Sequence, residues 1–171
     1  GWLARVRRAA PMALAVFAAM LAFTLAPSRG RLPFRDPSSP LRGWPAFQGA
    51  VEAAREKAGA AWVGAPTYGI AAQLAASPRI HAPAVEIYER ERFTFETPAE
   101  RADFSKPGLI VVPVRGAGAG ALHGCFASVQ MLPEIDRGAG RGMTPYTVLR
   151  VEGPKRDIER IGCYRPPQLK F

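Results

Sequence analysis

Histidine and cysteine are nearly missing from this chain: His81, His123, Cys125 and Cys163 are the only four among 171 residues. Neither histidine has a carboxylate or a cysteine at ligand spacing, which argues against a zinc centre and against a Ser-His-Asp triad. The cysteines form no C-x-x-C and no cluster with histidine, so a redox motif and a metal ribbon are also excluded as first readings. There is no G-x-S-x-G and no P-loop. Acidic residues are scarce at the start, where residues 1–42 hold seven arginines against Asp36 alone. The remainder is close to balanced, with 16 basic and 13 acidic residues. The net charge of +9 is therefore local, and the body carries no basic stripe with interleaved aromatics. Nucleic acid is excluded as a partner on that ground.

What the chain does have is a long uncharged apolar run, Ala9–Ala26, directly after Arg5, Arg7 and Arg8. A run of about 18 such residues is long enough to cross a bilayer core of about 30 Å at a helical rise of about 1.5 Å per residue. Residues 1–26 are read as a cytoplasmic flank and a transmembrane helix. A secretory signal peptide is the competing reading, although Thr24-Leu25-Ala26-Pro27 is a poor cleavage site. Both readings place the arginines in the cytoplasm and the rest of the chain outside it. The basic residues at both ends of the run suit anionic lipid headgroups. The chain opens on Gly1-Trp2 rather than Met and is expected to be a piece of a longer protein.

Residues 27–43 are rich in proline and arginine and read as an extended, semi-rigid linker. Residues 44–153 form the expected domain, and 154–171 a polar tail. Phe47, Val51, Ala54 and Ala58 follow helical spacing, which predicts a helix over Trp44–Ala58 stopped by Gly59. A short strand over Ala61–Ala65, a helix over Tyr68–Ala76 and a strand over Ala84–Tyr88 follow. Thr97-Pro98-Ala99-Glu100 has the form of a capping box for a helix to about Phe104. Gly108–Val114 contains four consecutive aliphatics and reads as a strand buried on both faces. Phe126–Asp136 and Pro145–Glu152 read as a β-hairpin. The alternation predicts a small three-layer α/β domain with a mixed sheet covered by helices, behind one N-terminal transmembrane helix.

Candidate sites within this domain are weak. Gly116–Ala121 matches G-x-G-x-x-[GA], but Gly124 interrupts any helix early and the turn follows the third strand instead of the first, so a loop is the better reading. Glu86, Glu89, Glu91 and Glu96 could do acid–base work. Arg90 and Arg92 lie in the same run, which favours a solvated charged edge. Cys125 and Cys163 either pair and tie the tail to the body, or remain two thiols with Cys125 buried. No catalytic residue, cofactor or metal ligand is assigned.

The order of several motifs points further. Arg35-Asp36-Pro37 precedes Leu41-Arg42-Gly43-Trp44, which opens the helix ending in Gly59; a strand and Tyr68-Gly69-Ile70-Ala71-Ala72-Gln73-Leu74 follow. Leu109–Val114 and Cys125-Phe126-Ala127-Ser128-Val129 come later. This succession resembles the last membrane helix and C-terminal exported domain of bacterial GT-C glycosyltransferases, the group that includes protein mannosyltransferases and the lipid A aminoarabinose transferase. The chain departs from that pattern at Ala75-Ala76-Ser77, where aromatics are common, and at Arg92–Glu96, which lacks a Gln-Tyr-x-x-Trp stretch. The resemblance implies transfer of a sugar from a polyprenyl-phosphate-linked donor at a bacterial inner membrane, with this domain on the periplasmic side. It places the catalytic carboxylates in an early exported loop that no residue here matches. Membrane lipid and the lipid-linked donor are the partners it implies. The alternatives are a membrane-anchored exported binding domain with no enzymatic role, and a secreted soluble protein.

Overall fold

A computed structural model of the chain describes residues 2–25, 39–88, 101–114, 119–138, 145–158 and 162–163. It divides into two compact units, residues 1–42 with 139–143 and residues 43–138 with 144–171. In the first unit, α1 (Trp2–Leu25) is a helix of 24 residues with Pro11 inside it. Every described side chain from Ala9 to Ala22 is exposed. Among the described residues no helix is long and apolar enough to cross a membrane. The expected transmembrane helix is therefore not shown by the structure. A 3-10 turn, Ser39–Leu41, is the other described element of this unit.

The second unit is a mixed α/β domain, as the alternation of elements predicts. Helix α2 (Trp44–Ala58) has the expected bounds and buries Phe47 and Val51, one turn apart. It begins at Gly43, whose φ of 78° lies in the left-handed region. A Cβ there would strike the carbonyl of Arg137, so both the backbone angle and the space demand glycine. Strand β1 (Trp62–Ala65) leads into α3 (Tyr68–Ala75) and β2 (Ala84–Glu86). Strand β3 is Gly108–Pro113, followed by a short α4 (Ala119–Leu122). Strands β4 (Phe126–Asp136) and β5 (Pro145–Pro154) make the expected hairpin.

These strands form one five-stranded sheet in the order β2-β1-β3-β5-β4. β2, β1 and β3 are parallel, while β5 is antiparallel to both β3 and β4. β3 is central and buried on both faces, which is why its aliphatic run needs no polar alternation. β4 is an edge strand, with a register shift between Leu132 and Ile135 where Pro133 sits. A proline and a bulge both blunt an edge against further pairing.

The two faces of the sheet are closed differently. On one face α2 and α3 place Phe47, Val51, Ile70 and Leu74 against Val63, Leu109, Val111 and Val148. On the other face Trp62, Val85, Ile110, Val112, Leu149 and Val151 are met by Phe104, Leu122, Phe126, Ile158 and a disulfide. The Trp62 indole lies over Gly108, where a Cβ would occupy the ring. Its Nε1 donates to the carbonyl of Lys106 at 3.1 Å, and its ring meets Phe104 edge-on at 5.0 Å.

Three details depart from expectation. Thr97–Glu100, the expected capping box, lies outside the described residues, and Arg101–Asp103 is not helical. There Asp103 accepts from the Ser105 N–H at 3.1 Å, and this local bonding makes a turn. The second cover of the sheet is, among the described residues, the four-residue α4 and irregular segments instead of a helical layer. Finally, Ile158, from a stretch whose sequence carries no core signal, is only 2 % exposed.

Candidate functional site

Of the described residues singled out in the sequence, Cys125 and Cys163 come together, and the others are placed as follows. Glu89, Arg90, Glu91, Arg92 and Glu96 lie outside the described residues, as does Gly116–Gly118. The end of that glycine stretch is helical, since α4 starts at Ala119. Glu86 is buried, and its carboxylate accepts the Tyr88 N–H at 2.7 Å. That bond serves the end of β2, and at 1 % exposure the side chain is shut off from the surface. His123 is exposed, and its carbonyl accepts from Lys155 Nζ at 2.9 Å. Cys125 and Cys163 form a disulfide with both residues buried. Of the two readings left open for them, the structure selects the paired one.

One cluster of ligand-type side chains was not visible in the sequence. Glu52 and Glu56 lie one turn apart on α2, and the chain after α3 returns His81 beside them. Their ligand atoms all lie within 4.8 Å of one another. Arg55 sits in the same place and determines what the cluster can do. Its Nε and Nη2 grip both oxygens of Glu52 at 2.9 and 2.8 Å, and its Nη1 donates to the Ala60 carbonyl at 2.7 Å. Nη2 is also 3.7 Å from Glu56. The His81 N–H donates to Glu52 at 3.3 Å, and its Nδ1 is 3.5 Å from the same oxygen. The hydrogen bond from Arg55 holds the Glu52 carboxyl below the usual glutamate range, against burial; the same bond raises Arg55. A guanidinium that already takes both carboxylate oxygens competes with a metal for lone pairs and repels a cation. The arrangement is an ion-paired clasp that ties α2 to the segment following α3. Gln48 adds a second tie, donating from Nε2 to the Gln73 carbonyl at 2.6 Å.

A groove of about 530 Å³ lies between α2 and the bulged end of β4. Ala54, Ala58, Leu132, Pro133 and Ile135 supply most of its apolar wall. Arg150 also lines it, with Nε donating to the Ala58 carbonyl at 2.8 Å and Nη2 2.6 Å from Glu152. Such a groove can hold an apolar group next to fixed charges; it offers no nucleophile with a base beside it. At the other end of α2, the Arg137 guanidinium stacks on the Trp44 ring at 4.6 Å. Comparisons with protein-family models, curated proteins and solved structures find no match to this chain.

Proposed function

We propose that residues 43–171 are the exported accessory domain of a GT-C-type membrane glycosyltransferase, held at the bilayer by α1. Sugar transfer from a polyprenyl-phosphate-linked donor belongs, in this reading, to parts of the enzyme outside these residues. The domain then lies on the periplasmic side of a bacterial inner membrane, as a cap over the reacting groups. The observation that carries the membrane part is α1 itself. It follows Arg5, Arg7 and Arg8 with an uncharged apolar stretch, Ala9–Ala26 in the sequence. Met12, Leu14, Phe17 and Met20 are 65–70 % exposed, whereas the second unit packs most of its described apolar side chains in two cores and leaves Tyr68, Val114 and Met131 exposed. Apolar surface of that extent marks contact with lipid or protein. The buried disulfide suits an oxidising compartment outside the cytoplasm. The transferase part rests on the ordered motifs from Arg35 to Leu74. Within this chain, Glu52 and Glu86 are consumed in structural hydrogen bonds, which supports an accessory role over a catalytic one.

The test is made in bacterial membranes. Residues 1–171 with a reporter after Phe171 should stay with the membrane through alkaline carbonate extraction, and the reporter should be active only on the periplasmic side. The same preparation should transfer no sugar from a polyprenyl-phosphate-linked donor. The complete enzyme should do so and lose the activity when residues 43–171 are replaced by a flexible linker. Release by carbonate, or transfer by residues 1–171 alone, overturns the proposal. The α2/β4 groove favours a second reading, a membrane-anchored binding domain with no enzymatic role. A complete protein inactive on any lipid-linked sugar would select it.

A further inference from the structure

Strand β4 is one edge of the sheet, and its partner among the described strands is β5. In an antiparallel pair every second residue of an edge strand turns its N–H and C=O away from the sheet, which leaves a row of backbone donors and acceptors. Pro133 and the register shift blunt this edge at one end only. The seven residues before them, Phe126–Leu132, keep one register with β5 and contain no charge, proline or glycine. Ala127, Ser128, Gln130 and Met131 are exposed there, Met131 at 67 %. Charge around the edge is split. Glu134 and Asp136 stand exposed at its C-terminal end. At the other end Phe126 pairs with Pro154, so Lys155 and Arg156 follow beside it, and Lys155 Nζ is held on the His123 carbonyl at 2.9 Å. Glu134, Asp136 and Arg156 have no ion-pair partner among the described residues.

We propose that β4 pairs edge to edge with β4 of a second copy of this chain, antiparallel, with the two-fold axis at Val129. This register sets Phe126 opposite Leu132 of the second copy and Ala127 opposite its Met131. It leaves Pro133, which has no N–H to give, outside the new ladder. The occupant is a second copy because one edge carries both halves of the charge pattern. An antiparallel arrangement brings the acidic end of each strand to the basic end of the other: Glu134 runs past Phe126 of the second copy toward its Lys155. A parallel arrangement would set acid against acid. The uncharged middle, Phe126–Leu132, adds no repulsion between copies. The contact is isologous and occupies both β4 edges. The opposite edge of the sheet, β2, has three residues, with Val85 and Glu86 buried, so pairing closes at two copies. A ladder of this length is a small interface, which sets its affinity in the micromolar class. This inference does not depend on the transferase reading.

The experiment uses the purified 171-residue chain in mild detergent with its native disulfide intact. Two variants, Ala127→Cys and Met131→Cys, the second carrying a mass tag, are oxidised with copper phenanthroline, each alone and then mixed. Opposed residues of an antiparallel pair have Cα atoms about 5 Å apart, within disulfide reach. In the proposed register each cysteine lies about 13 Å from its own copy, out of reach. The mixture should therefore give the cross-linked dimer of the two variants at least about tenfold above the self-dimer of either. Sedimentation equilibrium supplies the second readout. Gln130→Lys brings like charges together near the axis and should weaken association about threefold or more. Glu134→Lys should weaken it about as much, and adding Lys155→Glu should restore it. The charge exchange reads the contact independently of Gln130→Lys. Equal cross-linking in all three samples, as association through α1 would give, overturns the proposal. So does a chain that stays monomeric at about 1 mM, and so does a dimer indifferent to Gln130→Lys and to the charge exchange.

Discussion

On one face of the sheet, α2 and α3 bring their own hydrogen bonds and press Phe47, Val51, Ile70 and Leu74 onto β1, β3 and β5. On the other, Trp62 is closed over by Phe104, Leu122, Ile158 and two cysteines from segments with little regular structure. A helix satisfies its backbone internally and contributes a stripe of side chains, so a helical cover holds itself. An irregular cover must be tied down by single contacts. Here those are the disulfide, the Cys163 N–H on Ile87 and the Trp62 Nε1 on Lys106. The faces therefore bury comparable apolar residues but differ in what keeps them shut.

Five changes would break or sharpen that contrast. The largest effect is expected of Trp62→Ala, at about 3–5 kcal/mol, since it empties the space over Gly108 and removes the partner of Phe104. Urea unfolding measures it, and a cost under about 1 kcal/mol would show that this face is not a true core. Leu74→Ala on the helical face should cost about 2–5 kcal/mol, and by the same amount with the disulfide formed or reduced. A dependence on redox state would couple the two faces. Replacing both cysteines by serine should cost about 2–4 kcal/mol, all of it at the face of Trp62. Gly43→Ala, which meets the Arg137 carbonyl at a positive φ, should cost at least about 1–2 kcal/mol and fray the start of α2 in hydrogen exchange.

The smallest effect is expected at the clasp. Arg55→Ala should cost about 1–2 kcal/mol near neutral pH. Glu52 has a lowered pKa in the folded state, so its contribution is present above the ordinary glutamate range, about 4.3, and is lost as pH falls through the lowered value. Thermal melts from pH 7 down to pH 3 should show an acid-induced loss that Arg55→Ala reduces. An identical pH profile in the variant would remove Glu52 from the account.

Much of the helical face was legible in advance, and little of the other. Phe47 and Val51 at helical spacing mark α2, and Gly59 ends it. The aliphatics of Leu109–Val112 alternate between the two cores, as a strand buried on both sides requires. The hairpin arms follow from their alternation and the intervening glycine-rich loop. By contrast, Ile158 stands alone in a polar stretch and carries no periodic signal. The clasp was not read from the sequence: Glu52 and Arg55 stand at i, i+3, but His81 reaches them only through the return from α3. The groove needs α2 and the β4 bulge side by side, which no local pattern specifies.

Read alone, the chain determined its N-terminal helix α1, α2, α3, the buried strand and the hairpin, because periodicity, turn residues and caps act over a few positions. The sheet order, the cysteine pairing, the fit of Trp62 on Gly108 and the neutralisation of Glu52 by Arg55 beside His81 were decided in three dimensions. Each joins residues brought close only when β1 is flanked by β2 and β3 and the tail crosses back to Ile87. Proximity of that kind depends on the packed arrangement of the whole domain, and no short window of sequence contains it.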